Sequence, residues 1–454
     1  MKRSHKAILI LSLSAMATLS HAAGDASRLG KDLNPLGGEM KANKDGSVPA
    51  WTSEDVFPGW TPGKDIAKHY KYRDDKPLFV IDASNVDKHA EKLAPGLIKL
   101  IKSFNYKIPV YPSRRTCRAM DFFAENTAKN ASVSKINSDG WSLAGSVFPG
   151  IPFPIPQNGI EVVWNHLTHY QGAASEWNNL TSYLSPRPGS NSDTRIRYDN
   201  VNSFPHMTKG ANPIGSFPFF WGLYYTYREP AALSGQGITQ QFHFDKSADT
   251  WYYFPGQRRV RRLPSYDYDT PNVGFEGVLI ADSNAVLLGN PDRFDWKILG
   301  KKEMYIGVNN FAFTDPTRKI DDVMKRDHID ASVLHYELRR VWVVEATVKE
   351  GVRHANPKRT FYFDEDSWIA TGSEDYDAQG QLVRWKTSSQ VPMPELGGQC
   401  NYVSYQVHDL LSGRYLADML QIDGGSKKYY IESKDPKFKP SYYTSENLQR
   451  LGDR

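Results

Sequence analysis

Of the chain's 454 residues, 24% are charged, 40% hydrophobic and 13% aromatic, and the formal net charge is +5. Three of those positive charges, Lys2, Arg3 and Lys6, fall at the extreme N-terminus. That leaves only +2 for the remainder and argues against the broad basic field a nucleic-acid partner would need. The aromatics, with 34 glycines and 28 prolines, favour short strands joined by turns over helical bundles. No segment after the N-terminus has the ~20 uninterrupted apolar residues of a membrane span.

The N-terminus reads as an address. Lys2, Arg3 and Lys6 precede an apolar run over 7–19 and a small-x-small site at Ser20-His21-Ala22, the pattern of a secretory signal peptide cleaved near Ala22. No cysteine stands at that site, so a periplasmic protein without a lipid anchor is expected. Residues 23–454 are expected to form one domain. Residues 23–80 read as an extended arm held down by Trp51, Phe57 and Trp60. A helical segment follows over 85–170. In 85–103, Leu93, Leu97, Leu100 and Ile101 share a face behind a cap at Asn85, interrupted at Pro95-Gly96. After an extended piece at 106–111, residues 117–131 read as a helix with Met120, Phe123, Ala124 and Thr127 inward. The prolines of 147–159 force an extended path. Residues 160–170 form an amphipathic helix capped by Asn158, with Val163, Trp164 and Leu167 at helical spacing.

From about residue 194 the period becomes two, and an antiparallel sheet is expected over 194–425, with a tail at 426–454. Ile238, Gln240, Phe242 and Phe244 alternate with polar residues. The stretch 250–271, TWYYFPGQRRVRRLPSYDYDTP, reads as a hairpin with a type II turn at Pro255-Gly256. The segment 338–348 is apolar on both faces and is expected to be covered on both. Hairpin turns are expected at Asp364-Glu365-Asp366, at 377–380 and at Ser412-Gly413, which makes the whole an antiparallel meander of long, coiling strands.

Several blocks carry a resemblance. They are DGSVPAW (45–51), GIPFPIPQNGIEVVWNHL (150–167), PGQRRVRRLPSYDYDTP (255–271), DRFDWKILGKKEMYIGVNN (292–310), LRRVWVVEATVKEGVRHANPKRTFYFDEDSW (338–368) and LSGRYL (411–416). With the hairpin at 250–264, they resemble the domain-of-unknown-function family 1329, in the outer-membrane lipoprotein-sorting, LolA-like superfamily. The resemblance implies an α+β fold: a large, strongly curved antiparallel sheet, an unclosed half-barrel whose concave face is plugged by helices around a cavity for acyl chains. It also implies a periplasmic setting, and partnership with a resistance-nodulation-division type transporter and an outer-membrane protein. It implies no catalytic activity. Residues 176–198 are more polar than the segment that usually leads into such a sheet, so the sheet edge is expected to differ there.

The candidate site residues follow from chemistry. As a set, Phe242, Phe244, Trp251, Tyr253, Trp342, Val344, Phe361 and Phe363 suit a cavity wall, although each singly reads as ordinary core. Arg259, Arg261 and Arg262 suit a clamp for an anionic head group at the cavity mouth; the plainer reading is a solvated strand face paired with Asp267, Asp269 or Glu303. Cys117 and Cys400, the only cysteines, are expected to pair in an oxidising compartment, the alternative being two separate thiols. His166 and His169 lie three apart on a helix, but without a third ligand they read as a cap and surface histidines, and no metal or other cofactor is expected. Asp364, Glu365 and Asp366 read as turn residues. No nucleophile–base signature occurs. The expected function is a monomeric carrier for a lipid or other hydrophobic molecule, not an enzyme. The alternatives are a ligand-free assembly factor of the envelope and, less favoured, a hydrolase.

Overall fold

The computed structural model describes residues 25–264, 266 and 268–453. The expected signal peptide and Asp267 lie outside the described residues. Sixteen strands form one sheet. In chain order they are β1 (Phe79–Ile81), β2 (Ile108–Tyr111), β3 (Ala174–Leu184), β4 (Thr194–Ser203), β5 (Trp221–Glu229), β6 (Gly237–Phe242), β7 (Asp249–Phe254) and β8 (Arg259–Arg262). Then come β9 (Phe294–Gly307), β10 (Tyr336–Val348), β11 (Lys358–Asp364), β12 (Ala370–Tyr376), β13 (Leu382–Met393), β14 (Gln399–Asp409), β15 (Tyr415–Leu420) and β16 (Ser426–Tyr430).

Hydrogen bonding runs in the order β1-β2-β10-β11-β12-β13-β14-β15-β3-β4-β5-β6-β7-β8, with β9 alongside β10 and β16 alongside β3. The pairings are antiparallel except where β2 meets β10 at Tyr336 and Glu337. The two ends of this order do not pair, so the curved sheet is an unclosed half-barrel in an α+β fold. Neighbours in sequence are mostly neighbours in the sheet, as hairpin connections dictate.

The sheet is wider than the expected span. It recruits β1 from the end of the expected arm, β2 from the expected helical segment, β3 ahead of residue 194, and β16 from the tail. Strands as short as β1 and β2 show no readable alternation. The polar stretch at 176–198 is also not an edge. β3 pairs with β4 on one side and with β15 and β16 on the other. Its polarity has a local cause: the β3–β4 register shifts between Trp177 and Leu180, and Asn179 at φ 54° donates its N–H to the Asp199 carboxylate. A bulge of this kind suits asparagine, which tolerates the left-handed region.

The expected helix at 85–103 is two pieces, a 3₁₀ stretch (Val86–Lys92) and helix α1 (Pro95–Ser103). Pro95 sits at the first turn of the new helix, where its missing N–H does no harm. Helices α2 (Asp121–Val133), α3 (Gly159–Leu167) and α4 (Ser445–Gly452) follow. Asn158 caps α3 by accepting from the Glu161 N–H at 3.1 Å. Helix α3 fills the hollow of the sheet. Its Trp164 lies 5.9 Å from Phe244, just after β6, and its His166 lies 5.7 Å from Phe363 on β11, which is far from β6 in the sheet order. At Gly159 a Cβ would stand 2.6 Å from the Trp296 carbonyl carbon, so only glycine permits this approach. Not every helix plugs the concave side. Gly96 of α1 packs on Trp385, and Gly452 of α4 on Tyr253, both on the outer face.

Cys117 and Cys400 are bonded, which ties the segment before α2 to β14. The hairpin loop after β7 has four residues, not the two of a type II turn: between the paired Phe254 and Arg259, Pro255–Gln257 form a 3₁₀ turn, and the left-handed residue is Arg258 at φ 47°. The turn acids are not solvated. Asp364, Glu365 and Asp366 are buried. Asp366 pairs with Arg115 at 2.6 Å and accepts from Asn34 of the arm at 2.9 Å, while Glu365 pairs with Lys301 at 3.0 Å and Arg340 at 3.3 Å. Burial, together with the neighbouring Asp366, raises the Asp364 carboxyl; Arg115 and Arg339 overcome the burial of Asp366 and hold it below the usual range. This network is what seats the N-terminal arm.

Candidate functional site: an aromatic cavity beneath a latched cover

A cavity of about 100 Å³ lies on the concave side. Its wall is a set of alternate residues from consecutive strands: Trp177 of β3, Tyr198 and Asn200 of β4, Trp221, Leu223 and Tyr225 of β5, and Ile238 of β6. Alternation along a strand puts every second side chain on one face, so WGLYYTY (221–227) delivers its aromatic weight to this hollow. Tyr402, Tyr405 and Met419 close the far wall.

The roof is the segment between β8 and β9, which contributes Tyr266, Phe275, Asn284 and Leu288. It is fastened by charge. Asp282 of the roof accepts from Arg359 at 2.7 Å and sits 2.9 Å from His354. Arg359 and Lys386 both reach Asp375, at 3.2 Å and 3.0 Å, and Lys386 donates to Ser283 of the roof at 3.1 Å. All of Asp282, Arg359, Asp375 and Lys386 are buried. Burial alone would raise the Asp282 carboxyl, but Arg359 and then His354 hold it below the usual range. Burial and the adjacent guanidinium push the Lys386 ammonium down to about 8, against the pull of Asp375. A further tie is the His166 imidazole, 3.0 Å from the Leu287 carbonyl, with its other nitrogen accepting from the Ala370 N–H. His166 and His169 are therefore buried and not surface residues; burial pushes them down to about 3 and about 4.

The cavity has an aromatic body and a polar end. Asp418 is fully engaged, accepting from Tyr198 at 2.9 Å, Tyr405 at 2.8 Å, Ser182 at 2.5 Å and its neighbour's N–H at 2.6 Å. Burial pushes the Tyr198 and Tyr405 phenols well above their ordinary range, so they remain protonated donors. Two other polar atoms are left over. The indole N–H of Trp177 and the amide oxygen of Asn200 are buried without a partner, and these two residues are direct cross-strand neighbours. Each such orphan costs about 1–3 kcal/mol.

None of the aromatics singled out from the sequence lines this cavity. Phe242 shares the face of Ile238 and Gln240 and stacks on Trp221 at 4.7 Å, beside the cavity, and Phe244 packs on Phe148 and Phe220. Trp251 is half-buried. Tyr253 lies on the outer face, donating to Asp453 at 3.0 Å, because its neighbour Tyr252 takes the inner face opposite Ile238. Trp342, Val344, Phe361 and Phe363 share the inner face but are covered by α3 and by contacts such as Trp296–Phe361 at 5.5 Å. Arg259 and Arg261 stand on the inner-face side with Phe254 and Tyr252, yet both are exposed; Arg262 is on the outer side and pairs with Asp249 at 2.7 Å. The alternation of 221–227 was the available signal for the wall of this cavity. Trp177, Asn200 and the roof carried none.

Among the described residues no helix is long and apolar enough to cross a membrane. The chain is 35% identical, over 91% of its length, to an uncharacterized protein of Pseudomonas aeruginosa, and it covers 91% of that protein. Among solved structures it is similar to a Vibrio parahaemolyticus domain assigned to outer membrane lipoprotein sorting, with a TM-score of 0.44 and 12% identity over 64% of this chain and 98% of that one. It is also similar to a LolA superfamily protein of Nitrosomonas europaea, with a TM-score of 0.34 and 14% identity over 60% of this chain and 93% of that one. Taken with the match of residues 80–449 to its sequence model, the chain belongs to the family described as protein of unknown function, DUF1329.

Proposed function

We propose that the protein is a periplasmic carrier that holds a hydrophobic ligand in the hollow of its sheet beneath the latched roof. The observation that carries this reading is the aromatic cavity, enclosed by strands on one side and by the roof on the other. Transfer of apolar groups from water into such a space gains ~0.8 kcal/mol per CH₂, enough for capture without bond-making. At about 100 Å³ the closed cavity takes a short or ring-sized group, and a longer chain requires the roof to lift. Release then falls to a partner; the family resemblance points to a resistance-nodulation-division type transporter and an outer-membrane protein. The aromatics beneath α3 and the exposed Arg259 and Arg261 would meet the distal part of a longer ligand once the roof has moved.

The test is native mass spectrometry of gently purified protein, followed by titration of delipidated protein with a fluorescent acyl probe. A co-purified apolar ligand and saturable probe binding are expected. Absence of both would overturn the reading and favour a ligand-free assembly factor, for which the extensive filling of the hollow by α3 and the roof is the supporting observation.

A further inference from the structure

We propose that the cavity selects an uncharged, ring-sized group bearing a hydroxyl or carbonyl, rather than an acyl chain with an anionic head. This rests on the carrier reading and specifies what the same cavity accepts. The cavity's volume, about 100 Å³, is of the order of the ~150 Å³ apolar cavity known to accommodate benzene. Nine of its nineteen lining residues carry flat rings, which stack on another ring better than they sheathe a flexible chain. The polar chemistry is equally specific. Among the described lining residues none is Lys, Arg or His, and the one charged side chain, Asp418, already accepts four hydrogen bonds from the protein. An anionic head placed there would be buried without a partner and beside a carboxylate, which is strongly unfavourable.

Two of the lining residues carry a buried neutral polar atom without a partner, one a donor and one an acceptor. The Trp177 indole N–H and the Asn200 amide oxygen are unpartnered, both residues are more than nine-tenths buried, and the two residues are cross-strand partners on β3 and β4. A ligand hydroxyl satisfies both, accepting from Trp177 and donating to Asn200. A carbonyl satisfies Trp177 alone. The bulge after Trp177 breaks the ladder at this point and ends the regular pairing next to the pair. Lys427 does not substitute as a cation for an anionic head. Its ammonium lies 4.7 Å from the Trp177 ring centre and donates to the Val403 carbonyl, and it is not among the cavity's lining residues.

The experiment titrates the full-length mature protein with 4-methylphenol, toluene and benzoate by calorimetry, and follows the Trp177 indole resonance by NMR, assigned with Trp177→Phe. We expect 4-methylphenol to bind at least about tenfold more tightly than toluene, benzoate at pH 7 not to compete, and the Trp177 indole proton to shift only with 4-methylphenol. Asn200→Leu should reduce the preference for 4-methylphenol over toluene to less than about threefold while leaving toluene bound. Equal affinities for 4-methylphenol and toluene in the wild-type protein, or competition by benzoate, overturn the inference without any need for a variant. If a long-chain acyl probe binds and the phenol does not, this inference fails and the carrier reading stands. If no compound binds, both fail.

Discussion

Replacing Asp282 by Asn tests whether the roof is held by its charge latch. The wild-type cluster balances Arg359 and Lys386 against Asp282 and Asp375, with all four side chains buried. Asn keeps the shape and one acceptor for Arg359 but leaves the cluster with an uncompensated positive charge. Breaking a buried pair in this way costs about 3–5 kcal/mol. Because Asp282 belongs to the roof and its partners to β11 and β13, the cost appears as easier local opening. The amides of Ala281, Asp282 and Leu288, which bond within the roof, report it directly. Their hydrogen exchange at pH 7 should rise on the order of 100-fold or more, since ~1.4 kcal/mol is a factor of ten. At pH 9 the Lys386 ammonium, pushed down to about 8 in the wild type and lower still without the pull of Asp282, has given up its proton, so the variant cluster no longer carries excess charge. The ratio of variant to wild-type exchange should then narrow. A change below about fivefold at pH 7, or a ratio that ignores pH, would refute the latch.

The buried histidines predict acid sensitivity. His166 is held at about 3 and His169 at about 4, below the ordinary ~6.5, so the unfolded chain binds protons that the folded one refuses. Their stabilising neutrality is fully present above about pH 6.5 and is lost as pH falls toward 4, by about 1.4 kcal/mol per pH unit per histidine. His166→Gln should reduce the slope of unfolding free energy against pH between 4 and 6 by one proton; an unchanged slope contradicts the assignment. The disulfide closes 283 residues of chain. Changing Cys117 and Cys400 together to Ser should cost about 3–5 kcal/mol by loss of that constraint on the unfolded state, read as a lower melting temperature under non-reducing conditions. Equal melting of variant and wild type would show that the constraint contributes nothing.

How far the site was legible is clearest at two strands. In 249–254, the aromatic run marked a wall but not its direction. Tyr252 faces inward and Tyr253 outward, so choosing Trp251 and Tyr253 selected the outer face. A single-residue parity error moves every side chain of a strand to the opposite side. In 358–364 parity was read correctly, since Phe361 and Phe363 do face the hollow; what the strand could not show is that α3 already occupies that part of it. The turn at 364–366 lies where it was expected, between β11 and β12, but its burial was not legible, for a different reason. A run of acids is consistent with a solvated turn until Arg115, Arg339, Arg340 and Lys301 arrive from distant segments and make burial tolerable.

Periodicity, turn residues and caps are local properties, and they were enough for the antiparallel meander, the helix capped by Asn158, the cover on both faces of 338–348 and the class of fold. Each depends on side-chain spacing along a few residues, where backbone geometry leaves little choice. Three things depended on the folded whole: that the polar stretch at 176–198 sits at the centre of the sheet, that the segment between β8 and β9 roofs the hollow, and that Trp177 and Asn200 pair across β3 and β4 with a buried polar atom each left without a partner. These are meetings of residues remote in sequence, decided by register, by charge compensation across strands and by which surface closes over which. No local pattern encodes them, because the free energy that selects them exists only once the pieces are packed together.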